Sequence, residues 1–85
     1  MTMRIADMRP GDRARIIGYS RGDKEYRRKL LAMGLTRGVE IDFVKRAPLG
    51  DPVEIRVRGF SLTLRRHEAE SLELEPINTE AHHAV

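Results

Sequence analysis

Eighty-five residues make one domain, since the usual allotment of roughly 100–200 residues leaves no room for a second. Apolar residues make up 40% and charged residues 34%, with a net charge of +3, a globular balance that excludes a disordered chain. Cysteine is absent, which excludes a disulfide framework, an iron–sulfur cluster and a thiolate zinc site.

The opening Arg9-Pro10-Gly11-Asp12 places Pro and Gly where a type II turn wants them. Arg13–Tyr19 then reads as a first strand around Ala14, Ile16 and Ile17, and Gly18–Gly22 is a break. Asp23 is positioned to N-cap a helix over Lys24–Met33. Its apolar stripe is Tyr26, Leu30 and Met33 with Leu31 beside them, and Glu25 and Lys29 form a favourable i, i+4 pair on the other face. Gly34 is placed to end the helix in a left-handed conformation, letting Leu35 fold back on the last turn.

From Val39 the apolar period becomes two. Val39, Ile41 and Phe43 point inward, then Val53, Ile55 and Val57, then Phe60, Leu62 and Leu64 after a tight turn at Gly59. Arg65–Ser71 reads as one short helical turn, Leu72 and Leu74 lie on a last strand, and Pro76 closes it. The fold expected is mainly β: a small barrel of about five strands, one short α-helix between the first two and a helical turn before the last. Barrel closure would remove the exposed edges of so small a sheet, and the helix would plug one end with Leu30, Met33 and Leu35. The globular part is expected over residues 1–76, with residues 77–85 an unpatterned mobile tail.

Leu30-Leu31-Ala32-Met33-Gly34-Leu35-Thr36-Arg37-Gly38, Ala47-Pro48-Leu49-Gly50-Asp51-Pro52 and Arg58-Gly59-Phe60-Ser61-Leu62-Thr63-Leu64-Arg65, together with Glu68-Ala69, resemble the FeoA family of small ferrous iron transport proteins in order and spacing over roughly residues 3–76. The resemblance implies an SH3-like barrel. It also implies a cytoplasmic protein that works with FeoB, the membrane ferrous iron transporter with a cytosolic GTPase domain. The same module is similar to the C-terminal domain of metal-dependent repressors of the DtxR type, although no helix-turn-helix precedes it here.

The residues themselves offer little chemistry. Ser20, Ser61 and Ser71 have no nucleophile-elbow context and there is no phosphate-binding G-x-x-x-x-G-K-[ST] loop, so no enzymatic activity and no cofactor are expected. His82, His83 and Glu80 lie in the tail, where ordering entropy opposes a metal site. His67 belongs on the surface of the second helical turn, and Asp51 caps the turn before the strand it precedes. The resemblance therefore supports a role in iron transport without supporting iron binding by this chain.

Charge is uneven: residues 1–46 hold 12 Lys and Arg against six acids, and residues 47–85 hold four against seven. Arg13, Arg15, Arg21, Arg27, Arg28, Lys29 and Arg37 form a candidate basic face, so a small nucleic-acid-binding barrel stays open, as does a metal-responsive regulatory module. Against nucleic acid, only Tyr19 and Tyr26 remain for base stacking once Phe43 and Phe60 go to the core. The longest apolar run, at Leu30–Leu35, is far short of the ~20 residues a membrane span needs, and no apolar signal segment opens the chain. A cytoplasmic address is therefore expected, at the inner face of the membrane through a partner.

The best candidate site is a protein-docking surface. Tyr26, Leu30, Leu31, Met33, Leu35 and the Pro-bracketed Leu49 form its apolar part, with Arg27 and Arg28 on the rim, and a FeoB-like transporter is the partner implied by the resemblance. A weak homo-oligomer through sheet edges is a further expectation.

Overall fold

The computed structural model describes residues 2–20 and 24–77. Asp23, expected as an N-cap, Arg21 and the tail residues His82 and His83 lie outside the described residues. Five strands, β1 (Arg13–Tyr19), β2 (Glu40–Arg46), β3 (Val53–Val57), β4 (Phe60–Leu64) and β5 (Leu72–Pro76), form one antiparallel sheet in the order β4-β3-β2-β1-β5. Helix α1 (Lys24–Ala32) joins β1 to β2, and α2 (Arg66–Glu70) joins β4 to β5. The helix stops at Ala32, one residue short of the sequence expectation, because Met33 turns into the bend. This is the SH3-like barrel expected of the sequence.

The sheet curls because it carries two extra residues. Ile16 faces Leu74 and Gly18 faces Glu73, so Ile17 is a bulge on β1; Phe43 faces Ile55 and Lys45 faces Glu54, so Val44 is a bulge on β2. A bulge bends its strand and raises its twist. The bends wrap Ile16, Ile41, Phe43, Val53, Ile55, Val57, Leu64, Leu72 and Leu74 around one core, and Leu30 of α1 and Leu35 just past it fill it. Ala14 also belongs to that core, as do Ile5, Met8 and Ala69, which no sequence periodicity placed there.

Two expectations are corrected. Phe60 is 73% exposed, not core, because it stands at the turn end of the outermost strand with no element over it. The barrel is also not closed through its ladders, since β4 and β5 end the sheet on opposite sides. Met3 ties off β5: its N–H donates to Leu74 O at 2.6 Å, and Leu74 N–H returns a bond to Met3 O at 3.0 Å. Arg46 holds the same N-terminal segment, donating to Ile5 O and Met8 O at 3.2 and 2.8 Å with its guanidinium over the Phe43 ring.

Helix α2 is pinned at its start and, through Glu68, to α1. Asp51 Oδ1 accepts from Arg66 N–H at 3.0 Å, so Asp51 caps α2 rather than its own turn. Glu68 is buried; its Oε1 accepts from Arg65 N–H at 3.0 Å and its Oε2 pairs with Lys29 Nζ of α1 at 2.5 Å. Burial pushes the Glu68 carboxyl up, but the Lys29 and Arg65 hydrogen bonds and the two positive charges outweigh it and hold the pKa below the ordinary 4.5. A carboxyl lowered on folding contributes stability above its unfolded pKa and loses it as pH falls through the folded one.

Two outcomes follow for stability. Gly34 has φ +88° with nothing within 4 Å of an added Cβ, so Gly34→Ala should cost about 1–2 kcal/mol in urea denaturation through backbone conformation alone. Between about pH 5 and about pH 3 the wild-type unfolding midpoint should fall further than that of Glu68→Gln; equal slopes would remove the ion pair from the acid response.

Candidate docking surface

Local chain geometry decides which of the candidate residues reach solvent. Leu30 is the inward residue of α1 and is wholly buried. Past the helix, Gly34 N–H donates to Leu31 O and Leu35 N–H to Leu30 O, both at 3.0 Å. This αL reversal turns Leu35 back under the helix, where it too is wholly buried. The Tyr19 hydroxyl donates to Leu35 O at 2.5 Å and fixes the reversal to β1. Leu30 and Leu35, placed on the contact surface by the sequence, are therefore not available at it and support it from beneath.

What α1 presents is narrower. Leu31 is 42% exposed, Tyr26 and Met33 are half-buried, and Arg27 and Arg28 are exposed. Arg27 lies 5.6 Å over the Tyr19 ring, which occupies the face a base would stack on. Burial raises the Tyr19 pKa despite the nearby Arg27 and Arg37 charges, so the phenol stays a neutral hydrogen-bond donor.

Beyond the end of α1 lies the β3–β4 hairpin. Arg58 and Gly59, with φ +53° and +86°, make the two-residue turn that its right-handed twist favours. Met33, Gly34, Val57, Arg58, Phe60, Ser61 and Leu62 enclose an open notch of about 430 Å³. Sequence alternation sent Phe60 inward; the signal that could have shown otherwise is its place beside the turn on a strand with no successor in the sheet.

Leu49 is 90% exposed but stands apart from this notch. Its loop, closed by Ala47 N–H to Pro52 O at 3.0 Å and Gly50 N–H to Ala47 O at 2.7 Å, meets β3 at Val53, whereas the notch meets β3 at Val57. At about 3.3 Å per residue the strand puts roughly 13 Å between them. The Asp51–Pro52 bond in this loop is cis. The expected single surface is thus two patches, one at the end of α1 and one at the loop tip.

Much of the expected basic face is neutralised. Across β5, β1 and β2 the outer face carries a continuous row: Arg15 with Glu75 at 2.9 Å and Glu40 at 3.5 Å, and Arg13 with Glu40 at 3.2 Å and Asp42 at 2.7 Å. Lys29 is held by Glu68, and His67 is exposed on α2 as expected. Among the described residues no three acidic or imidazole side chains gather where a metal ion could be held.

Residues 3–76 match the family described as the FeoA domain. The Fe(2+) transport protein A/Fe(2+) transporter FeoB fusion protein of Porphyromonas gingivalis is 37% identical over 79 residues, which cover 93% of this chain and 9% of that one. The chain thus spans about a tenth of the length of this curated relative. The FeoA-like protein of Clostridium acetobutylicum superposes with a TM-score of 0.80 at 34% identity, covering 89% of this chain and 87% of that one. A manganese-dependent transcriptional repressor in complex with manganese gives a TM-score of 0.82 at 14% identity, over 89% of this chain and 37% of that one, and shares the fold alone.

The burial pattern separates supports from contacts. Leu30→Ala should cost about 2–5 kcal/mol in denaturant unfolding, whereas Leu31→Ser and Phe60→Ser should stay within about 0.5 kcal/mol of wild type. A large loss from Phe60→Ser would return that ring to the core.

Proposed function

We propose that this chain, which belongs to the FeoA family, is a non-enzymatic accessory module of ferrous iron uptake. It docks on the cytosolic part of a FeoB-like transporter and alters transport or its nucleotide cycle. The observation that carries this reading is the fusion relative, in which a homologous segment and a FeoB transporter share one polypeptide. Covalent linkage raises effective concentration to the millimolar range, so even a weak docking contact is kept occupied. Such a fusion supports an association between the two parts when they are separate chains.

The apolar patch suits docking more than catalysis. Leu31, Met33, Phe60 and Leu62 are the partly or largely exposed apolar side chains at the end of α1 and along β4, with Tyr26, Arg27 and Arg28 beside them. The serine hydroxyls that could serve as nucleophiles include two committed to structure: Ser20 Oγ accepts from Arg4 at 2.7 Å and Ser71 Oγ donates to His67 O at 3.2 Å. The ion-paired Arg13 and Arg15 and the covered Tyr19 ring favour a protein partner over a nucleic acid. Residues 1–76 form the module on this reading, residues 77–85 an appended tail, and the protein works in the cytoplasm, at the inner membrane face when docked.

Titration against the cytosolic part of FeoB tests the surface. Leu31→Asp and Phe60→Asp should each weaken binding by about tenfold or more, as removal of a buried interface anchor does. Leu49→Asp, on the separate patch, should weaken it less. Binding unchanged in all three variants would overturn the docking surface.

A further inference from the structure

Resting on that docking reading, we propose that the element the transporter contributes is an extended, acidic segment that adds to β4 as a sixth strand and sets an apolar side chain in the notch beside Phe60.

The two edges of the sheet are treated differently. The outer edge of β5 is tied off by Met3, whose backbone exchanges two hydrogen bonds with Leu74. On the outer side of β4 none of the described residues makes a hydrogen bond to the strand backbone. In a hairpin with a two-residue turn the flanking pair, Val57 and Phe60, exchanges both ladder bonds. Alternation then turns the N–H and C=O groups of Ser61 and Thr63 away from β3.

This edge also lacks the devices that normally guard one. Natural edges carry charges, proline, bulges or a covering segment. The β4 sequence Phe60-Ser61-Leu62-Thr63-Leu64 has no charge and no proline, and its register with β3 is unbroken over all five residues. That is an uncharged stretch in a chain with 34% charged residues. Added strands take affinity from backbone bonds and specificity from alternate side-chain pockets. The notch of Met33, Val57, Phe60 and Leu62 is such a pocket at one end of the edge.

Charge selects the occupant. Arg56 and Arg58 are exposed and have no acidic partner among the described residues. Arg65 and Arg66 stand at the other end of β4, the first 4.0 Å from Asp51 and the second 3.3 Å from Glu70. A second copy pairing antiparallel about Leu62 would set Arg58 against the copy's Arg66, like charge on like charge, which is destabilising. A segment bearing carboxylates around an uncharged centre meets the same flanks with attraction.

The test titrates the full-length, isotope-labelled chain with the cytosolic part of FeoB and follows amide hydrogen exchange. The Ser61 and Thr63 amides should exchange fast in the free chain and at least about tenfold slower when bound, as new ladder donors do. Ser61→Pro removes an outward N–H that β3 does not use and should weaken binding by about tenfold or more. Arg58→Glu should weaken it similarly and reduce its salt dependence. If the wild type binds but these amides stay fast, docking stands and strand addition is overturned. Wild-type chain that does not bind overturns both. Protection of Ser61 and Thr63 that grows with the chain's own concentration, without the transporter, assigns the edge to a second copy and overturns the acidic segment. Should Ser61→Pro not fold, the exchange of the wild type decides alone.

Discussion

A sheet of five short strands in a chain of this size has to supply both walls of its own core, because small domains bury a modest share of their surface and have no second layer to lean on. The bulges at Ile17 and Val44 meet that constraint by bending β1 and β2 until their inward residues face one another. The remaining opening is filled by Leu30 and Leu35, and these depend on the left-handed reversal at Gly34 and on the Tyr19 hydrogen bond that holds it. Lys29 and Glu68 then lock the two helices together over the filled end. Curl, plug and lock form one chain of dependence, and the outward-facing site is what that chain leaves uncovered.

Most of the barrel was readable because each strand has one wet face and one dry face, so a period of two reports it directly. The same reasoning found α1 and the reversal after it, since Gly34 and Leu35 stand where a helix end requires them. Alternation tells which side of a strand a residue occupies, however, and not whether anything covers that side; Phe60 is on the inner side of β4 and still in water. Ile5 and Met8 join the core from a segment too short to show any period, held by an arginine some forty positions away. Glu68 looked like one acid among several, and only the long-range partner Lys29 makes it a buried one.

The candidate site was half legible for a related reason. Leu30 and Leu35 were read both as plug and as contact surface, and their complete burial leaves them to the plug. The notch joins Met33 to Phe60 and Leu62, residues brought together by the curl of the sheet and by nothing in the local sequence. Leu49 was grouped with them on hydrophobicity, yet β3 stands between. The fold also narrows the basic face of the chain's first half: its arginines on β1 are threaded between carboxylates of β2 and β5. From the other half, Arg56 and Arg58 stand exposed beside the β3–β4 hairpin, where an apolar opening and a bare strand coincide.

The Met3 bond pair has a meaning that concerns number more than strength. A barrel with one sticky margin can join a single neighbour and then stop, as a terminator does. Lifting the first few residues off Leu74 would give the molecule two such margins on opposite sides, and units of that kind can concatenate into open filaments. Met3 thus leaves a single open margin among the described residues.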